Sequence, residues 1–137
     1  MGICLTAKKS NYAFYMGAGG FFNLRKRIAY VMDKEFGEHY ESLLYCYSKR
    51  DFEYHDRITN RMIKEKALDM DIVSFLYMSD CGGNVSHKVC KKIYDLIKDV
   101  DLKHYGFRYG AYQHHDYEQL KEFLLECYTN RRKMRWS

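Results

Sequence analysis

Gly17, Gly19 and Gly20 stand just ahead of Arg25, Lys26 and Arg27, and this order of residue types is the one in the chain best suited to holding an anion. Glycine lets a backbone come close to a ligand. A helix that starts directly after a glycine loop adds unpaired N–H groups and a partial positive charge. Asn23 is the expected cap of that helix, which places the three cations in its first turn, where they oppose the helix dipole. An anion bound there would offset the opposition. Tyr12, Tyr15 and Phe22 flank the loop and could stack on a ring. The segment is neither a Walker loop, which needs Gly-Lys-Ser/Thr, nor the dinucleotide fingerprint, whose last glycine is replaced by Phe22. The competing reading is that the glycines only permit close packing against a helix.

A second loop, Ser79-Asp80-Cys81-Gly82-Gly83-Asn84, carries the other candidate chemistry, on Asp80 and Cys81. Calcium is disfavoured because Lys91 stands where an EF-hand needs its glutamate. Zinc on Cys81, His87 and Cys90 lacks a fourth ligand, and a Cys81 nucleophile would need His87 as its base. An Asp-capped turn between buried elements is the plainer account. His114-His115 beside Asp116 reads as a polar loop, since adjacent side chains point apart. The basic run Arg131 to Trp136 reads either as a phosphate-binding tail, with Trp136 stacking on a base, or as a frayed helix end whose cations complement the dipole. The candidate ligand set is therefore Tyr15, Gly17, Gly19, Gly20, Phe22, Asn23, Arg25, Arg27, Asp80 and Cys81, with no catalytic residue, metal or cofactor.

The elements that must position these residues follow from periodicity. Ile3 to Lys8 and Tyr12 to Met16 read as a hairpin that delivers the chain into the glycine loop. Leu24, Ile28, Val31 and Phe36 recur at helical spacing, and Gly37 marks either a kink or the junction of two helices. Asp51 is the expected cap of a surface helix running to about Leu68. Residues 71–78 form an apolar run that fits either a buried strand or a helical segment. Ser86 is expected to cap a helix burying Val89, Ile93, Leu96, Ile97 and Val100. Tyr105 to Tyr112 reads as a strand or extended loop. Asp116 and Gln119 fit a capping box for a helix burying Leu120, Phe123, Leu124 and Cys127. The expected architecture is a single α+β domain over residues 1–137, mostly helical, with a small N-terminal β-hairpin or sheet.

Composition narrows the class. The chain of 137 residues is 47% hydrophobic and 30% charged, which suits a folded globular domain. No apolar run approaches the length of a membrane span, and no secretion signal is legible at the N-terminus. Met1-Gly2 with Thr6 matches the loose myristoylation pattern, against which a buried first strand is favoured. Five separated cysteines read as reduced thiols in a cytosolic compartment, four of them in the core and Cys81 in a loop. Fourteen tyrosines with no proline point either to contact surfaces or to AT-rich codon usage, and a net charge of +5 favours anionic partners.

The pairing of Gly19, Gly20, Phe21 and Arg25 (Gly-Gly-Phe-x-x-x-Arg) with Ser79, Asp80, Cys81 and Gly83 (Ser-Asp-Cys-x-Gly) resembles a diffuse family of small uncharacterised proteins of bacteria and their phages. Those proteins often begin Met-Gly-Ile/Leu and carry a Cys-Lys-Lys-like helix after the second loop, as here. Many read Ser-Asp-Cys-Asp-Gly where this chain has Gly82, which weakens any metal site built on that aspartate. The resemblance implies a phage or prophage accessory protein in the bacterial cytoplasm, of a kind that counters host defences. The expected activity is non-enzymatic sequestration of an anionic small molecule, such as a nucleotide defence signal, by a homo-oligomer. A protein inhibitor of a host defence enzyme such as a CRISPR effector is the second expectation, and a nucleic-acid-binding protein using Arg131 to Trp136 the third.

Overall fold

The structure is a computed structural model that describes residues 2–8, 13–105 and 117–137. Tyr12 and the turn before it, the stretch after Tyr105, the His114-His115 pair and Asp116 of the expected capping box lie outside the described residues. The N-terminal hairpin is present: β1 (Gly2–Thr6) runs antiparallel to β2 (Ala13–Gly17), with Ile3 opposite Met16 and Leu5 opposite Phe14. Alternation sends Ile3 and Leu5 into the core and leaves Thr6 exposed. Two further strands complete a sheet of order β2-β1-β4-β3, with β3 at Gly83–Val85 and β4 at Met134–Trp136.

β4 corrects the reading of the basic tail. Residues 134–136 are neither a frayed helix end nor a free arm, because Leu5 pairs with Trp136 on one side and Gly83 pairs with it on the other. Met134 and Trp136 are buried while Arg135 faces out. The alternation is only three residues long, too short to signal a strand by itself. The partners that make it one lie far off in the chain.

α1 (Ala18–Met32) begins directly after β2, so the expected glycine loop does not exist as a loop. Gly19 and Gly20 form the first turn of this helix. Their weak helix propensity is overridden by Phe21, Leu24 and Ile28, which bury one face of α1 completely. Asn23 is therefore inside the helix and is not its cap. Arg25, Lys26 and Arg27 lie near its middle and not in its first turn, so the argument from the helix dipole falls.

The chain turns at Asp33, whose carboxylate accepts from the Phe36 N–H and caps α2 (Lys34–Glu41). The two-helix reading holds, but the junction lies at Asp33 and Gly37 sits inside α2. A Cβ at Gly37 would come within 2.8 Å of the Tyr30 Cα, so this glycine is what lets α2 approach α1. A 3-10 turn (Ser42–Tyr45) leads to α3 (Lys49–Lys66), capped by Ser48 in a reciprocal capping box with Asp51. The cap is thus Ser48, with the expected Asp51 in the third helical position. α4 (Met70–Tyr77), capped by Asp69, resolves the apolar run as helix. α5 (His87–Ile97), capped by Ser86 as expected, buries Ile93 and Ile97, with Val89 and Leu96 half-buried and Val100 beyond its end, and α6 (Tyr117–Thr129) buries Leu120, Phe123, Leu124 and Cys127. The fold is α+β and mostly helical, with the helices covering one face of the small sheet. No helix among the described residues is long and apolar enough to cross a membrane.

Candidate functional site

Arg25 shares a face of α1 with Phe21 and Ile28, and that face is the one turned to the core. The side chain is consequently only 4% exposed. Its Nη1 donates to the Met78 carbonyl at 2.7 Å and, more weakly, to the Leu76 carbonyl at 3.4 Å. The guanidinium lies 4.0 Å from the Phe21 ring centroid, 5.2 Å from Phe75 and 5.5 Å from Trp136. Its Nε and Nη2 have no hydrogen-bond acceptor, and the group makes no ion pair among the described residues. Burial lowers its pKa from the usual arginine value, countered by the Tyr40 phenol and the Asp80 carboxylate. An unpaired buried cation costs several kcal/mol before compensation. Two carbonyls and three aromatic faces recover part of that cost.

Above Arg25 opens a cleft of about 330 Å³, walled by Phe22, Tyr40, Phe52 and Tyr77, with Asp56 and Asp80 at its margin. Phe22 stacks on Tyr40 at 5.4 Å, and Tyr40 meets Tyr77 edge-on at 5.3 Å. The Tyr40 hydroxyl donates to the Leu76 carbonyl. Burial pushes the Tyr40 phenol up from its ordinary value and Tyr77 up to about 12, so both stay neutral at physiological pH.

Residues of the two sequence motifs meet in this cleft, Phe21 and Arg25 of the first with Ser79 and Asp80 of the second. The second loop is pinned there by the Trp136 indole N–H, which donates to the Ser79 carbonyl at 2.9 Å. Gly83 is required for that approach, since a Cβ would lie 2.8 Å from Cε2 of Trp136. The buried Trp136 is accordingly a core residue and offers no free face to a base.

The remaining candidates are dispersed. Gly17 ends β2, and Gly19 faces open space, with nothing within 4 Å of a built Cβ. Gly20 and Asn23 are half-buried along α1, and Tyr15 lies on β2 opposite Cys4. Arg27 is fully buried on another face, where its Nη1 donates to the Leu102 and Tyr105 carbonyls, both at 2.8 Å. It ties α1 to the segment after α5. Lys26 pairs with Glu41 at 3.5 Å. Cys81 is exposed, with its sulfur 3.7 Å from Asp80 Oδ1 and its N–H donating to the Ser79 hydroxyl. No group of three metal-ligating side chains occurs among the described residues.

Behind Tyr77 lies a polar cluster that the sequence did not reveal. His39 and His55 stack with ring centroids 3.9 Å apart. Thr59 donates to the His55 carbonyl and therefore accepts from His39 Nε2 at 2.8 Å. Ser42 donates to the His39 carbonyl and so accepts from His55 Nδ1 at 3.2 Å. This leaves His55 Nε2 as the acceptor of the Tyr77 hydroxyl at 2.9 Å. Every hydrogen in the network is assigned with both imidazoles neutral. Burial, reinforced by the stacked His39, lowers His55 to about 4, and burial lowers His39 as well. The pair borders an open groove of about 580 Å³ that also includes Cys46, Asp51 and Tyr54. Its only legible trace is that His55 and Thr59 are four apart on α3, a helix whose thin apolar content reads as surface.

Comparison with protein-family models, curated proteins and solved structures finds no match for this chain.

Proposed function

We propose that this protein is a non-enzymatic binding protein that sequesters a small planar anion, of the nucleotide class, in the cleft above Arg25. The observation that carries this reading is a buried guanidinium whose Nε and Nη2 lack an acceptor, on a side chain that lines an aromatic-walled cleft. A phosphate or carboxylate reaching Arg25 supplies the missing acceptors through charge-assisted hydrogen bonds. The cleft volume sits at the small end of ligand pockets and suits one ring system with one anionic group. Asp56 and Asp80 disfavour a bare polyphosphate and favour a ligand whose ring carries amino donors. The phage-type role implied by the two short motifs fits such a sponge, acting on a defence signal of the host cytoplasm. Protein purified from a bacterium with an active nucleotide-signalling defence should release a nucleotide on heat denaturation, detected by mass spectrometry. A protein that emerges empty from such cells and leaves the signal level unchanged contradicts the reading.

A second reading, contact with a protein, is favoured by one feature. Leu44, Tyr45, Tyr47, Phe52 and Tyr54 are all exposed within a short stretch from the 3-10 turn into the start of α3, Tyr47 to 82%. Aromatic residues of this kind are enriched at interfaces. The surface suits either a second copy of the chain or a host defence enzyme. Light scattering of the purified protein, with and without Tyr47→Ser, separates self-association from a monomer that captures one stoichiometric host protein.

A further inference from the structure

The start of α5 and the segment after α6 are brought side by side by the β3–β4 ladder, in which Asn84 pairs with Arg135 and Val85 with Met134. Residues 84–92 and 127–137 carry seven lysines and arginines and no aspartate or glutamate. Between the two segments lies a groove of about 820 Å³ lined by His87, Lys88, Tyr128, Thr129 and Arg131. Three of the seven cations are engaged, since Lys91 pairs with Asp95, Lys92 with Asp69 and Asp71, and Arg132 with Glu126. Lys88, Arg131, Lys133 and Arg135 are exposed and have no ion pair among the described residues. Tyr128 projects into the groove with 39% of its surface exposed. Lys91 Nζ lies 5.4 Å from its ring centroid, and the His87 ring is 6.2 Å away.

Lys88 and Arg131 line the groove, and Lys133 and Arg135 follow Arg131 at alternate positions of the chain; gathering like charges works against folding, and none of these four is buried. A single small anion would need one or two of them. A series of cations beside an exposed aromatic ring matches a phosphodiester chain whose bases are open for stacking. A duplex hides its base faces, so the ring selects a single strand. We propose that this face, separate from the Arg25 cleft, binds single-stranded nucleic acid, with Lys88, Arg131 and Lys133 on successive phosphates and Tyr128 stacked on a base. The stacking residue is Tyr128, in place of the buried Trp136 that the sequence suggested.

The test is fluorescence anisotropy with a labelled oligothymidylate of about 20 nucleotides, titrated at several salt concentrations. Wild-type protein should bind at low salt, with log affinity falling against log salt at a slope of about −2, as expected for three phosphate contacts on a single strand. The charge-reversed triple variant Lys88→Glu/Arg131→Glu/Lys133→Glu should lose at least about thirtyfold. Tyr128→Ala should lose about tenfold with the salt slope unchanged. Reversing three exposed cations elsewhere (Lys49, Arg50 and Lys64 on α3) should change affinity less than about threefold. All these side chains are exposed, and circular dichroism verifies each fold. Equal losses in the two triple variants would reduce the effect to net charge and overturn the assignment. So would a Tyr128→Ala variant with undiminished binding, or a duplex of the same length bound as tightly.

Discussion

Lowering the pH from 7 to 4.5 should selectively weaken the fold through His55. This side chain is only 2% exposed, and its pKa falls from 6.5 to about 4 on folding. Its Nδ1–H is directed at Ser42 and its Nε2 accepts from Tyr77, so a second ring proton has nowhere to point without turning the Tyr77 hydroxyl. The stacked His39 adds a second ring that would suffer from the charge, while Asp56 weakly favours it. At pH 7 the folded chain lacks this proton and the unfolded chain mostly lacks it. As the pH drops through 6.5 the unfolded chain takes it up and the folded chain does not. Stability therefore falls with falling pH, and the loss is complete near pH 4. The full gap corresponds to a ceiling of about 3 kcal/mol. The open groove beside the rings screens part of it, which leaves about 1–2 kcal/mol. For a chain of this length that is a drop in melting temperature of about 5 °C. Carboxylates titrate in the lower part of the same range, so the assay compares wild type with His55→Gln, which cannot take up the proton. Urea unfolding followed by circular dichroism should show the stability difference between the two narrowing by about 1–2 kcal/mol from pH 7 to 4.5. A difference that stays constant refutes the reasoning, as does an NMR titration of His55 with a midpoint at or above 6.5.

Two glycines make opposite predictions. Gly19→Ala places a methyl group in open space on α1 and should raise stability by about 0.5–1 kcal/mol in thermal denaturation, with ligand binding unaffected; an essential Gly19 would revive the backbone cradle. Gly37→Ala drives a methyl group into Tyr30 where α1 and α2 approach most closely, and should cost about 1–3 kcal/mol by chemical denaturation.

What the sequence discloses and what it hides divide along a physical line. The caps at Ser86 and the apolar faces of α5 and α6 are local signals, and they are legible because the burial they demand repeats every turn. The junction near α2 is half legible: the change of pattern is visible, but Gly37 draws attention away from Asp33, the residue that caps the new helix. Gly19 and Gly20 read as a loop because propensity is local. Their helix is imposed by the burial of Phe21, Leu24 and Ile28 beneath the sheet. Arg25, Lys26 and Arg27 look like three equivalent surface cations, yet each reaches a different distant partner: carbonyls after α4, Glu41, and carbonyls after α5. Tyr40, Phe52, Asp56 and Tyr77 of the cleft come from three helices and carry no shared motif. Arg25 and Asp80, one from each short motif, line the same cleft although they stand far apart in the chain.

Arg25 is the proposed anchor of the ligand. Isothermal titration of wild type, Arg25→Met and Phe52→Glu with a panel of linear and cyclic purine and pyrimidine nucleotides decides it. Arg25→Met removes a buried cation that forms no ion pair among the described residues, and Phe52→Glu alters only the exposed wall of the cleft, so both variants should remain folded. At least one nucleotide should bind the wild type with micromolar or tighter affinity and bind each variant about a hundredfold more weakly. No binding anywhere in the panel, or equal binding by wild type and Arg25→Met, would contradict it.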